Sequence, residues 1–302
     1  MPDSVFRAGA TALVTGAGSG IGFAIARLCR SQNMNLVLVD IHADHLGRAQ
    51  EILDGESGIG RPKILTHIMD VSEISSWEYL RDEVLQAFPK GVDLLVLNAG
   101  TMRKGEDNKS PWTDLEYFNR IFATNVNGVL NGIATFLPVI MAEGELPVRE
   151  PRAIVITGSK QGITNPPGGK NPAYNASKAA VKAIAEHLAH DIRSEPGETK
   201  VSVHLLVPGW TYSGMAGHAG PVANEAALAK ESREAWLPGQ VAEYLYEKMK
   251  IGQFYIICPD GEVTEELDKA RMKWAMEDVI ERRPPLSRWE IHWEGKARAL
   301  CS

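Results

Sequence analysis

Tyr174 and Lys178 stand four residues apart in the stretch NPAYNASKAAVKAI, residues 171–184. At that spacing on a helix both side chains project from one face, with Ser177 beside them at i+3. A tyrosine alone loses its proton only near pH ~10, a lysine near ~10.4. A fixed ammonium favours phenolate over phenol and so draws the tyrosine toward the pH at which proton transfer is useful. Ser159, in ITGSKQG, can supply a hydroxyl to hold a substrate oxygen, and Asn125, in TNVNG, can fix a water or a backbone kink. Each has a structural alternative. Asn171 and Pro172 read as N-cap and first helical residue, Tyr174 as a surface aromatic, Ser159 as a turn residue, and Asn125 as a polar spot inside a helix. Taken singly, only the Tyr174/Lys178 pair favours chemistry. With Asn98 of NAG, however, these features all fall at or near the carboxyl ends of apolar runs, the edge where open α/β sheets bind ligands.

A second constellation is suited to phosphate. TGAGSGIG (15–22) lies between a strand-like and a helix-like segment, where N-terminal N–H groups of a helix can hold an anion. Its glycines, at 16, 18, 20 and 22, do not follow the G-x-G-x-x-G spacing. Asp40 ends the next apolar run, where a carboxylate can accept hydrogen bonds from an adenosine ribose. Its charge would repel a 2′-phosphate, and no Arg or Lys adjoins it before His42. NAD is therefore expected over NADP. The structural alternative for Asp40, a helix cap before ADHL, is compatible with that role, and Asp70 in MDVS has the same alternative.

The elements that must position these residues are legible as alternation. Short apolar, β-branched runs at 11–15, 35–40, 63–70, 92–100, 153–159, 201–208 and 254–259 read as strands. Most are apolar on both faces, as strands covered by helices above and below must be. Helical patterns begin near Gly20, Ala43, Ser72, Thr113, Asn171 and Pro238. Regular β–α alternation predicts right-handed crossovers and a Rossmann-type, doubly wound parallel sheet of about seven strands flanked by helices, in a single α/β domain. Two regions break the pattern. Residues 209–237 form a Gly-rich stretch with one short helix, expected to be a flap. Residues 261–302 are a C-terminal extension beyond a 1–260 catalytic domain, in which Val263, Leu267, Ala270 and Trp274 share a helical face, with Trp289 and Trp293 further on. That extension is expected to pack on the domain or on a partner subunit.

Composition narrows the class. The net charge is −6 with no Lys/Arg-rich block, which argues against nucleic-acid binding. Three cysteines, Cys29, Cys258 and Cys301, form neither a disulfide framework nor a metal site, so no metal is expected. No apolar run reaches the ~18 residues of a membrane span, and no signal-peptide pattern opens the chain. The expected location is cytoplasmic, without membrane contact. Arg103, Lys104, Lys160 and Lys170 fall on loops that would surround a pocket. They are read as solvated loop charges, with selection of an acidic substrate as the alternative.

TGAGSGIG, Asp70, Asn98 in NAG, Asn125, Ser159, the YNASK from Tyr174 to Lys178 and the Pro208–Gly209 pair occur in that order. Together they resemble the short-chain dehydrogenase/reductase superfamily in its TGxxxGxG / YxxxK form, over about residues 10–260. The resemblance implies a Rossmann-type domain that binds NAD or NADP, with Tyr174 as proton donor or acceptor and Lys178 on the nicotinamide ribose. It implies Ser159 on the substrate oxygen and Asn125 holding a water in a proton relay. The turn with Gly16, Ser19, Gly20, Ile21 and Gly22 would cradle the pyrophosphate, Asp70 and Val71 would meet the adenine, and Asn98 a ribose. The segment after Pro208 would take the carboxamide. Where the family often has Thr four residues after the Pro-Gly glycine, this chain has Ser213, with Thr211 two earlier. The loop KQGITNPPGGKNPA with Trp210, Tyr212 and Met215 would border the pocket. A homodimer or homotetramer acting on a small alcohol or carbonyl compound is implied. Non-redox chemistry on the same scaffold, and a dinucleotide-sensing protein without catalysis, are the alternatives.

Overall fold

The structure is a computed structural model that describes residues 4–56, 62–102, 110–142, 150–166, 171–195, 200–216, 220–225, 235–261 and 263–290. Seven strands, β1 (Thr11–Thr15), β2 (Asn35–Asp40), β3 (Ile64–Ile68), β4 (Leu94–Leu97), β5 (Arg152–Thr157), β6 (Val201–Val207) and β7 (Tyr255–Ile257), form one sheet in the order β3-β2-β1-β4-β5-β6-β7. Every pairing is parallel. β1 and β4 are buried along their whole length, because helices cover both faces and leave no polar side to the strands. At the edge, β3 is only half-buried, and there the sequence mixes Thr and His into the apolar run.

Helices α1 (Gly20–Ser31), α2 (Ala43–Gly55) and α8 (Pro238–Lys250) bury Ile25, Leu46, Leu53, Val241 and Leu245 against one face. Helices α3 (Ile74–Ala87), α5 (Gly128–Met141) and α7 (Pro172–Ser194) bury Trp77, Phe136 and Val181 on the other. Trp77 is fully buried with its indole N–H donating to Val71 O at 2.8 Å. A Cβ at Gly132 would lie 2.8 Å from its Cη2, so α5 approaches α3 through that glycine.

Successive strands are added outward on one side from β1 to β3 and on the other side from β4 to β7, so the strand order reverses between β1 and β4 and opens a crevice at their carboxyl ends. The loop after β1 and the loops after β4 and β5 all debouch there. Between α4 (Leu115–Phe122) and α5 the helix runs through a π-turn, Ala123–Asn127. A four-residue helix, α6 (Gln161–Thr164), follows β5 and lies against α7. A last helix, α9 (Glu265–Ile280), follows β7.

β1 and β2 have the expected bounds, the later strands occupy the expected positions but stop earlier, and the helices begin at the expected starts except where a turn precedes them. α3 starts at Ile74 rather than Ser72, and a 3-10 turn, Pro111–Thr113, precedes α4. Asn171 precedes α7, but its side chain caps no helical N–H. In α9 the expected apolar stripe is not the buried face. Leu267, Ala270 and Trp274 are half-buried, whereas the deeply buried residues are Asp268 and Asp278, and Met276, Val279 and Ile280 are exposed. The helix docks through charge pairing, which a hydrophobic periodicity cannot reveal. The short helix expected within 209–237, and Trp293, lie outside the described residues.

Candidate active site

The glycine turn is fixed by its neighbours. Gly16 and Gly20 have φ of +67° and +49°, a region glycine enters without steric cost. A Cβ at Gly18 would sit 2.8 Å from Asp40 Oδ2, and one at Gly22 would strike the Gly16 carbonyl and lie 2.8 Å from Asn98 Nδ2. Ser19 and Ile21 are half-buried at the start of α1, Ser19 being its N-cap in extended conformation with no side-chain capping bond. Asp40 is 9% exposed, its Oδ2 accepting from Gly18 N at 2.9 Å and its Oδ1 from His42 N at 3.0 Å. It braces both the glycine turn and the entry to α2. A carboxylate has about four acceptor positions, so each oxygen keeps capacity for a further donor.

Asn98 ties strand ends together. Its Nδ2 donates to Thr15 O at 3.1 Å, its Oδ1 accepts from Thr157 Oγ1 at 3.1 Å, and Thr15 Oγ1 accepts from the N–H groups of Asn98 and Ala99. Thr15 and Thr157 were not singled out in the sequence. The available signal was a threonine closing an apolar run just before glycine in both TALVTG and AIVITG. Asp70 is exposed and its Oδ1 accepts from Ser72 N at 2.9 Å, a turn rather than a cap on α3; Val71 is buried.

Four residues assemble beside this crevice. Lys178 is 3% exposed and its Nζ donates to Thr157 O at 2.7 Å; it lies 5.9 Å from the centre of the Tyr174 ring. Tyr174 is buried and meets the Ser159 hydroxyl. Asn125 is fully buried in the π-turn. Its Nδ2 donates to Thr101 O and to Ser177 Oγ, both at 3.0 Å, and its Oδ1 accepts from Thr101 N at 2.8 Å. Ser177 Oγ in turn donates to Tyr174 O at 2.8 Å, so the serine at i+3 locks α7 to the π-turn. The polar spot inside a helix and the backbone kink are one feature, since a π-turn leaves the helical ladder one residue out of step.

The electrostatics differ from the expectation that Lys178 depresses Tyr174. Burial pushes the Tyr174 hydroxyl up, and the hydrogen bond from Ser159 pulls it back only in part. Burial pushes Lys178 down, to about 8. Both charged forms are penalised because the pair sits in protein rather than water.

That shift has a consequence for stability. Below pH about 8 folding must bury an ammonium; between about 8 and 10.5 the unfolded lysine binds more protons than the folded one, so stability rises with pH. In chemical denaturation between about pH 8 and 9, below the ionisation of unfolded tyrosines near pH ~10, wild type is expected to gain stability relative to Lys178→Met. A pH-independent difference would contradict it.

After β6, Thr211 is buried with Oγ1 donating to Gly209 O, and Ser213 lies over the glycine turn, 2.9 Å from where a Gly20 Cβ would be. The Gly209 Cβ position is filled by the Asp260 carboxylate, whose Oδ2 accepts from Trp210 N at 2.6 Å. Met215 reaches toward the pair: its Cε and Lys178 Nζ would lie 3.5 and 3.6 Å from a Cβ at Gly100. Lys160, expected to be a solvated loop charge, is neither solvated nor part of the crevice wall. It is 8% exposed and pairs with Asp268 and Asp260. Arg103, Lys104 and Lys170 lie outside the described residues. Among the described residues no cluster of His, Cys, Asp or Glu has the form of a metal site and no helix is long and apolar enough to cross a membrane.

The short chain dehydrogenase family profile matches residues 10–222, and this chain belongs to that family. It is an oxidoreductase of the short-chain dehydrogenase/reductase class. It is similar to a short chain dehydrogenase/reductase from Burkholderia phymatum solved in complex with NAD, with 30% identity, a TM-score of 0.75, and 92% of this chain and 96% of that one covered. The C alpha-dehydrogenase of Sphingobium sp. is 28% identical over 85% of this chain and 83% of that protein. The NADPH carbonyl reductase 1 of Mus musculus is 27% identical over 68% of this chain and 83% of that protein.

Proposed function

We propose that this protein interconverts a secondary alcohol and a ketone with a nicotinamide dinucleotide, NAD in preference to NADP. The observation that carries the reading is the buried Tyr174–Lys178 pair beside the Ser159 hydroxyl, at the mouth of a glycine turn in which a side chain would collide. That turn fits the group: Gly16, Ser19, Gly20, Ile21 and Gly22 would hold its pyrophosphate at the start of α1, and Asp40 its adenosine ribose. Asp70 and Val71 would border the adenine, Asn98 and Lys178 the nicotinamide-side ribose, and the Pro208–Ser213 segment, through Thr211 or Ser213, the carboxamide. The dinucleotide supplies the hydride acceptor or donor.

This chain's own residues handle the proton and the orientation. In oxidation Tyr174 takes the proton from the substrate hydroxyl as hydride leaves the carbon. Ser159 donates a hydrogen bond to the same oxygen as charge develops on it. Lys178, anchored on Thr157 O, places positive charge beside the phenolate. Asn125 fixes the π-turn against Ser177 and so sets the height of Tyr174; both its N–H groups are engaged, which leaves an Oδ1 lone pair for a relay water.

The test is a spectrophotometric assay over a broad alcohol and ketone library, with NAD(H) and NADP(H) in parallel. Turnover of nicotinamide on secondary alcohols or ketones is expected, and product formed without nicotinamide turnover would overturn the reading. Preference rests on Asp40. Asp40→Ala also frees Gly18 N, so both dinucleotides should weaken, and the informative quantity is their ratio. It should shift toward NADP by at least about 10-fold, about 1.4 kcal/mol; an unchanged ratio removes Asp40 as the discriminator.

A further inference from the structure

Lys160 follows Ser159 directly, yet its ammonium points away from the crevice into the C-terminal segment. Its Nζ lies 2.5 Å from Asp268 Oδ2 of α9 and 3.4 Å from Asp260 Oδ2, with all three side chains at most 10% exposed. Asp260 Oδ2 also accepts from Trp210 N, and its carboxylate occupies the space a Gly209 side chain would need. One buried cation therefore joins the backbone beside Ser159 to the Gly209–Trp210 turn. The short helix between is gripped on both sides. A Cβ at Gly162 would lie 2.5 Å from the Lys178 carbonyl carbon and 2.7 Å from Ala179 N, so α6 rests on the backbone of α7. At its far end Arg288 Nη2 donates to Thr164 O and Trp289 Nε1 to Asn165 O, both at 2.8 Å. Asn165, at φ +42°, accepts from Asn175 Nδ2, next to Tyr174.

α9 buries acids and leaves Met276, Val279 and Ile280 exposed. Apolar burial is thus a poor account of why it docks here, and the ion cluster is a better one. Desolvating charge is costly unless it is paired; Lys160 faces both carboxylates, and Arg271 and Arg288 add positive charge beside Asp268.

We propose that Lys160 is a positioning residue, held by Asp268 and Asp260, which fixes the Gly209–Trp210 turn against the Ser159 loop, so that the C-terminal segment is part of the nicotinamide side of the site. This rests on the reading above that the segment after Pro208 receives the carboxamide. Removing the Lys160 cation takes from Asp260 its ion partner, while Asp268 keeps the charges of Arg271 and Arg288 beside it. Asp260 then swings from Trp210 N, and the turn that meets the nicotinamide shifts while the glycine turn and Asp40, on the far side of the crevice, stay in place.

The test compares NADH with ADP-ribose, which keeps the adenosine and pyrophosphate but lacks the nicotinamide, by calorimetric titration of the full chain. NADPH and 2′-phospho-ADP-ribose serve as a parallel pair. Lys160→Met is expected to weaken the nicotinamide ligand at least about 10-fold and to leave the truncated one within about twofold, whereas Asp268→Asn, which keeps the cation beside Asp260, should shift the same ratio in the same direction by less. The double variant Lys160→Met/Asp268→Leu, in which an apolar pair replaces the ion pair, should recover melting temperature without recovering the affinity ratio, since Asp260 still lacks its cation. The inference is overturned if both ligands weaken together, if neither changes, or if the ratio recovers along with melting temperature. Wild type that binds neither pair would overturn the dinucleotide reading itself.

Discussion

Tyr174→Phe is expected to lower turnover by about 10²–10⁴-fold, the usual contribution of a general acid/base, and to leave dinucleotide affinity within a few-fold of wild type. Phenylalanine fills the same buried volume, so the loss is one hydroxyl and its contact with Ser159. A hydrogen bond of this kind is worth about 1 kcal/mol of stability, too little to unfold an α/β domain with a core on both faces of its sheet. Because burial holds the Tyr174 hydroxyl above its ordinary range, wild-type oxidation should also accelerate as pH rises. Tyr174→Phe should lose that dependence along with the rate. Steady-state nicotinamide absorbance across pH, with equilibrium titration of NADH, checks both parts. A variant with wild-type turnover would mean that another group carries the proton, and one that no longer binds NADH would make Tyr174 structural.

Gly22→Ala should do comparable damage by a different route. Gly22 lies in the first turn of α1 with ordinary helical φ, so backbone strain is not at issue and alanine would by propensity stabilise the helix by up to about 1 kcal/mol. The obstacle is space. The new methyl would strike the Gly16 carbonyl and crowd Asn98 Nδ2 at 2.8 Å, and Asn98 is itself held between Thr15 O and Thr157. Neither neighbour is the far end of a flexible chain, so α1 must lift from β1. Overpacking costs about 1–3 kcal/mol and occasionally more, and lifting the helix removes the N–H groups that would meet the pyrophosphate. Loss of NADH binding and a lowered melting temperature are expected together. Gly47→Ala is the control: it lies inside α2 with nothing within 4 Å of its Cβ position, and should be neutral to slightly stabilising. If Gly22→Ala behaved like Gly47→Ala, the cradle would not be as tight as its geometry requires.

The elements were legible because their signals are local. TALVT and NLVLVD are apolar on both faces and became strands with the expected bounds, 11–15 and 35–40. Gly20, Ala43 and Pro238 opened helices where a glycine turn, a polar stretch and a proline said they would. The TGAGSGIG turn and the i, i+4 relation of Tyr174 to Lys178 are likewise matters of a few residues. Where an expectation depended on surroundings, the structure altered it. Lys178 was expected to pull the Tyr174 proton off; burial raises Tyr174 instead and lowers Lys178, because the cost of leaving water is set by atoms that surround a group, not by its neighbours in sequence.

Sequence by itself determined a doubly wound parallel sheet, the glycine turn that opens α1 and the family of oxidoreductases to which the chain belongs. Periodicity, turn chemistry and ordered motifs carry those within short windows. Tertiary structure alone decided what the polar residues do for one another. Asn98 became a tie between the ends of β1 and β5. Lys160, a loop lysine by every local criterion, became a buried cation because residues 100 and 108 positions away return carboxylates to it. Pairing of charges is settled by distance through space, and that distance does not exist until the sheet has brought β5, β6 and β7 side by side.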